Sequence, residues 1–298
     1  MLAKKRWCSN WWIHILFILM CAAILFPFLL ILAVSFSNEK DVALYGYQLI
    51  PKKIDFSAYQ YLFKNPDTIL RAYGVTILVT VMGTVLSVVL MSMVAYPLSK
   101  RNMVFKQGIT FYIFFTMLFS GGLVPTYILN TQYLHLNNTI WIYILPSLIN
   151  VWHVFLLRTF FKSIPDSIGE SALLDGAGEY RIFFTMILPL SKPALATVAL
   201  LGALTRWNDW FTAMLYISDD RLITLQYLLQ RILLNIQLLQ GMSSSGNMVP
   251  GSILSMADLP SETVRMAMAI IAIGPMLLVF PFFQKYFVKG LTIGSVKG

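Results

Sequence analysis

Between Lys106 and Arg158 the sequence carries no charged side chain at all. A water-soluble fold has to cover its surface, and ordinary soluble domains carry about 25% charged residues. Here Asp, Glu, Lys and Arg together make up 12% of 298 residues. A bilayer core of about 30 Å takes roughly 20 apolar residues per helix. The uncharged stretch therefore has room for two crossings and a short connection. The fold class this predicts is an all-α membrane protein.

Six spans are readable, at about 12–34, 72–98, 107–130, 139–161, 191–217 and 264–284. Pro27, Gly83, Pro97, Pro146, Gly202, Gly274 and Pro275 fall inside them. Neighbouring helices can re-satisfy the backbone groups that such residues free. The basic N-terminus followed by an apolar run has the look of a signal peptide. No small-residue cleavage site follows, so the run reads as an uncleaved first span. Cys8 and Cys21 form neither a disulfide framework nor a metal site. His14, His135 and His153 have no ligand-like spacing, and no metal is expected.

Lys and Arg placement orients the spans. The N-terminus, the 99–106 loop, the 158–192 loop and the tail together hold thirteen basic residues against four acidic ones. The opposite side is balanced, so the formal net charge of +9 sits on one face. That face should be the cytoplasmic one, with both termini inside. Outside lie a loop containing the aromatic run "FSAYQYLF" (56–63), suited to a surface helix, and a loop from about 218 to 263. The whole chain, 1–298, reads as a single membrane domain in the cell membrane, with an inner loop at 163–190 and a tail at 285–298.

The 163–190 loop is unusual for a connector. Ser167-Ile168-Gly169-Glu170 has the S-x-x-E form of a capping box, in which Ser167 would start a helix. Pro165 discourages an earlier start. The helix would expose small residues, among them Ala172 and Ala177, and end within a few turns at Gly176 and Gly178. Small residues let a cleft wall approach closely. A plain surface helix between two spans fits the same pattern.

Glu170-Ser171-Ala172, then Asp175-Gly176-Ala177, then Ile187-Leu188-Pro189 resembles the "EAA" signature of bacterial ABC importer permeases. The stretches "VPTYILNTQYLHLNNTIWIYILP" (124–146) and "QKYFVKGLTIGSVKG" (284–298) are similar to the sugar branch, in which the shorter permease of the maltose importer belongs. Within it the chain looks like the shorter permease of importers for large or acidic oligosaccharides, of alginate or aldouronate type. Ser171 replaces an Ala of the signature, and His135 stands where many relatives have Gly. The resemblance implies that Glu170, Ser171, Ala172, Asp175, Gly176 and Ala177 form a coupling helix docked on a separate cytoplasmic ATPase. It also implies that the tail reaches between the ATPase subunits. The implied partners are a second permease, an ATPase dimer, an external sugar-binding protein, membrane lipid and an oligosaccharide, with no nucleic acid.

For the substrate path, span five offers Arg206, Trp207, Asn208, Asp209 and Trp210. Charges in mid-bilayer cost from about 2.5 kcal/mol each. Aromatic rings stack on sugar C–H faces, and Arg can pair with a uronate carboxylate. Arg206 and Asp209 equally suit a structural pair, with each other or with a partner subunit. Tyr127, Asn130, Asn150 and Trp152 are further path candidates that also suit ordinary helix packing.

The sequence has no G-x-x-x-x-G-K-[ST] phosphate loop. The chain is thus expected to be a non-enzymatic transport subunit, binding no cofactor, with ATP and Mg held by the partner. Competing readings are an importer permease for another solute, an ion-coupled secondary transporter and a membrane enzyme. A secondary transporter would favour inverted repeats and intramembrane carboxylates. Only Asp209 lies deep in a span, and no halves match.

Overall fold

The computed structural model describes residues 11–244 and 261–295. Its elements are helical, and the only strand-like pairing among the described residues is an isolated bridge between Ser37 and Ile54. The chain divides into two compact units. One takes in the chain up to Asp67 with Arg231–Pro275, and the other takes in Thr68–Gln230 with the residues from Met276 onward.

The first unit opens with α1 (Trp11–Ser35), a helix of mean hydropathy 3.1 in its most apolar window, none of which is buried. Such a helix is stable only with lipid or protein around it. Polar ties begin where it ends. Ser35 and Tyr59 share a hydrogen bond of 3.0 Å, and Tyr59 stacks on Phe36. Asn38 caps α2 (Glu39–Tyr45) and donates to Asp55, whose carboxylate in turn receives the Ser57 N–H that opens α3 (Ser57–Leu62). The aromatic run is therefore helical, with Ala58 and Leu62 buried. The Glu39 carboxylate receives the backbone N–H groups of Glu262 and Thr263 at 2.9 and 3.0 Å, where the last described helix begins. An anion there satisfies donors that a helix start leaves free.

The second unit is organised by α4 (Pro66–Ser99). Its buried face carries Thr76, Thr80, Gly83, Thr84 and Ser87, while Ile77, Leu78, Val81, Met82 and Val85 face outward. This inverts the soluble pattern. Inside a membrane small and weakly polar residues let helices approach, and large apolar ones meet lipid. Next come α5 (Lys106–Leu118) and α6 (Leu123–Ile128, drawn on by a wider turn Leu129–Tyr133), then α7 (Val151–Lys162).

Two apolar stretches differ from the continuous spans expected at 107–130 and 139–161. Between α5 and the segment Leu123–Tyr133 the axis bends by 107°. Ser120, Gly121 and Gly122 make the bend, with Gly122 at φ +87°, a conformation that only glycine adopts freely. The second stretch holds a short helical turn, Ile140–Tyr143, before Pro146 and the start of α7. Asn150 begins α7 by accepting the His153 N–H at 3.2 Å. The 191–217 stretch is also divided: α11 (Lys192–Trp207) ends at Asn208 and α12 (Phe211–Tyr216) follows.

Between α7 and α11 run α8 (Asp166–Leu174), α9 (Glu179–Ile182), a wide turn Phe183–Ile187 and α10 (Leu188–Leu190). α13 (Leu225–Ser244) and α14 (Ser261–Ser295) complete the described chain. The segment that reads from sequence as a tail is helical as far as Ser295, and residues 296–298, Gly298 included, lie outside the described residues. Three helices, α1, α4 and the Ser261–Pro281 part of α14, are long and apolar enough to cross a membrane, and two bent pairs raise this to five. A buried cluster joins Met91, Ala95 and Leu98 of α4 to Val154, Leu157 and Phe161 of α7, to Ala172 of α8, and to Ile182, Phe183, Ala194 and Val198. The polar loop is thereby built into the core of this unit rather than hung from it.

Candidate functional site

The α8 helix starts two residues earlier than a Ser167 cap would require. α8 begins at Asp166, with Pro165 in extended conformation before it and no side-chain cap. Ser167 is inside the first turn, so the capping box does not form. Asp166 takes over: its carboxylate sits at the positive end of the helix and lies 3.2 Å from Arg101.

The faces of α8 are also reversed relative to expectation. Its small residues point inward: Gly169 is buried, and Ala172 is only 3% exposed in the core cluster. The outward surface is formed by Glu170, Ser171, Leu173, Leu174 and Asp175, with Leu174 90% exposed. The reason is packing, because small side chains allow α8 to seat against α4 and α7. An exposed leucine pair beside two carboxylates is costly in water, and it offers a partner an apolar knob with an acidic rim.

The helix stops in a Schellman turn. Gly176 N–H donates to Leu173 O at 3.0 Å and Ala177 N–H to Ala172 O at 2.9 Å, the two bonds of that motif. Gly176 takes φ +78°, and a Cβ there would meet nothing within 4 Å. Its requirement for glycine is therefore one of backbone conformation, with no steric component inside this chain. Ala177 packs on the core cluster beside Ala172, the apolar contact that accompanies such a turn.

The span-five residues do not form one surface. Arg206 is 8% exposed, and its guanidinium donates to Ser87 Oγ, to Ser147 O at 2.8 Å and Oγ at 3.3 Å, and to Gly202 O at 3.3 Å. The shaft crosses Gly83, where a Cβ would stand 2.5 Å from Arg206 Nε. Arg206 and Asp209 do not pair with each other: Asp209 Oδ1 accepts the Thr212 N–H at 3.0 Å, starting α12. Trp207 is buried, with its ring 6.5 Å from that of Tyr73. Asn208 is exposed and folds back to donate to Leu204 O, and Trp210 is exposed against Phe211.

Of the remaining candidates, Tyr127 is exposed and stacks on Tyr216, 5.4 Å between centroids. Buried Asn130 donates to Tyr216 Oη, Asn150 is spent on the cap of α7, and Trp152 is exposed beside His153. His135 adopts φ +50°, the left-handed conformation that explains a glycine preference at this turn. Ser87 and Ser147, which cradle Arg206, are not among the residues named from the sequence, and Gly83 is named there only as a glycine inside a span. The signal for this cradle lies in Thr76, Thr80, Thr84 and Ser87, spaced three or four apart along one face of α4.

No protein-family profile matches the sequence. The polygalacturonan/rhamnogalacturonan transport system permease protein YtcP of Bacillus subtilis is 41% identical over 95% of this chain and 96% of its own length. The arabinooligosaccharides transport system permease protein AraQ of Halalkalibacterium halodurans is 28% identical over 97% of both chains. A crystal structure of a bacterial ABC transporter involved in the import of the acidic polysaccharide alginate superposes on 96% of this chain and 99% of its own, with a TM-score of 0.79 and 30% identity. With such relatives and its apolar helices, the protein is a multi-pass integral protein of the bacterial plasma membrane. The chain belongs to the family of permease subunits of ABC sugar importers.

Proposed function

We propose that this permease forms half of the translocation path of an importer for acidic oligosaccharides, in a heterodimer with a second permease. The observation that carries this reading is the full-length similarity to a permease named for polygalacturonan and rhamnogalacturonan, joined by the structural likeness to an alginate importer. Polygalacturonan and alginate are both built from uronic acids. An external binding protein delivers the sugar, and a cytoplasmic ATPase dimer holds ATP and Mg and performs hydrolysis. The chain crosses the membrane six times with both termini inside, which puts the basic excess and α8 in the cytoplasm.

In this arrangement the α8 loop is the coupling element. Glu170, Ser171 and Asp175 surround the Leu173–Leu174 knob that enters the ATPase cleft, while Ala172, Gly176 and Ala177 set the angle at which it is presented. Along the path, exposed Asn208, Trp210, Tyr127 and Trp152 are positioned to meet sugar rings and hydroxyls. Buried Arg206 and Trp207, with Asp209 and Asn150, shape that wall from behind.

Uptake of labelled oligogalacturonate by proteoliposomes carrying the complete importer tests the substrate class. Unlabelled oligogalacturonate should compete at least about tenfold more effectively than a neutral glucan of equal length, a difference of about 1.4 kcal/mol. A neutral glucan that competes equally well contradicts the acidic assignment and leaves the permease assignment standing.

A further inference from the structure

The turn after α4 and the loop around α8 line an open cleft of about 680 Å³. Tyr96, Lys100 and Arg101 line one wall, and Asp166, Gly169 and Glu179 line the other. Two polar ties connect these walls, one before α8 and one after it. The first is the Arg101–Asp166 pair, 3.2 Å long with both partners largely exposed. Exposed pairs of this kind contribute about 0–1 kcal/mol, so this tie is weak.

The second tie is better built. Tyr96 Oη donates to Glu179 Oε2 at 2.8 Å, and Lys100 Nζ lies 3.5 Å from the same oxygen. The Lys100 ammonium also sits 4.8 Å from the centre of the Tyr96 ring. Tyr96 lies in the last turn of α4 and Lys100 directly follows its final residue, Ser99, so one carboxylate is gripped by the end of that helix and the residue just past it. Gly169 of α8 faces the same ammonium: a Cβ there would stand 3.5 Å from Lys100 Nζ, ordinary van der Waals contact. Burial works to lower the Lys100 pKa, and the Tyr96 hydroxyl and Glu179 carboxylate outweigh it, leaving the ammonium above the ordinary lysine value.

The mechanical consequence follows from where Glu179 stands. It is the first residue of α9, three positions past the Gly176 turn that ends α8. From α9 the chain leads to α11 through a bend of 80°, and a bent joint dissipates displacement. A carboxylate fixed to α4 offers a direct route. We propose that Glu179 is a positioning residue of the coupling loop, which holds it at a set spacing from α4 through Tyr96 and Lys100, so that motion of α8 is delivered to α4 as well as to α11. This rests on the reading of α8 as the ATPase-docking element.

The test uses the complete importer in proteoliposomes, comparing sugar moved per ATP hydrolysed. In Glu179→Ala this ratio should fall about tenfold or more, the scale of losing one charge-assisted hydrogen bond, while the ATPase co-purifies in normal amount. The exchange Lys100→Glu with Glu179→Lys should restore most of the ratio, which loss of fold would not allow. An unchanged ratio in Glu179→Ala, or a loss that the exchange does not repair, overturns the role of Glu179 alone. An unaltered permease that never retains the ATPase overturns the docking reading itself, and this inference with it.

Discussion

Gly83→Ala is expected to damage this permease more than Arg206→Met does, and combining the two should be milder than Gly83→Ala alone. The ordering comes from what each change leaves behind. A Cβ at position 83 would stand 2.5 Å from Arg206 Nε and 2.9 Å from its Cδ. These atoms lie where the shaft joins the guanidinium, whose Nη atoms beyond them are pinned by Ser87, Ser147 and Gly202. The shaft must therefore shift and break those bonds. A buried charge left without partners costs about 3–5 kcal/mol. Arg206→Met removes the charge together with its need for acceptors, and a flexible thioether fills part of the space. Its cost should be about 1–3 kcal/mol, that of acceptors left unsatisfied. With a methionine in place of Arg206 the shaft is no longer pinned, so the methyl that Gly83→Ala adds can be accommodated and the effects are non-additive. Thermal unfolding of the purified permease complex, with recovery of the second permease as a check on assembly, reads all three. If Arg206→Met instead assembles and unfolds like the unaltered protein but loses uptake, Arg206 touches substrate and is not a strut.

The second large effect concerns Gly176. Gly176→Glu should insert into the membrane normally and abolish uptake. The φ of +78° costs a residue with a side chain about 1–2 kcal/mol. That is small beside the stability of the whole unit but large for the last turn of a nine-residue helix. The Schellman turn then opens, and the Leu173–Leu174 knob loses its presentation. Because no neighbour lies within 4 Å of the missing Cβ, size within this chain is irrelevant and conformation decides. Gly176→Asn, tolerant of left-handed φ, should retain far more uptake than Gly176→Val. Normal sugar-stimulated ATPase activity in Gly176→Glu would count against the whole mechanism.

How much of this can be read from the sequence differs by kind of interaction. The apolar runs of α1 and α4, and the polar loop between α7 and α11, stand out because their signals are local: composition, charge and Gly/Pro punctuation. The EAA-like order of Glu170, Ala172, Asp175 and Gly176 is local as well. The orientation of α8 is opposite to the one expected because small residues suit either a partner cleft or the chain's own core. Only Met91, Ala95 and Leu157, distant in sequence, decide between them. The same holds for Arg206. Its nearest sequence partner, Asp209, is used on Thr212, whereas its actual partner Ser87 lies 119 residues away. The break at residues 119–122 is visible as Ser-Gly-Gly, yet composition cannot tell a glycine tolerated inside a helix from one that takes φ +87°.

The measurement that tests the central claim most directly is site-specific crosslinking from Leu174, the most exposed large apolar side chain of the loop. With Cys8 and Cys21 replaced by Ser, a Leu174→Cys permease in the assembled importer should crosslink to the ATPase subunit. It should also be shielded from a membrane-impermeant thiol reagent added outside intact cells. Labelling of Leu174→Cys from outside, or no crosslink to the ATPase with or without nucleotide and sugar, would contradict the account.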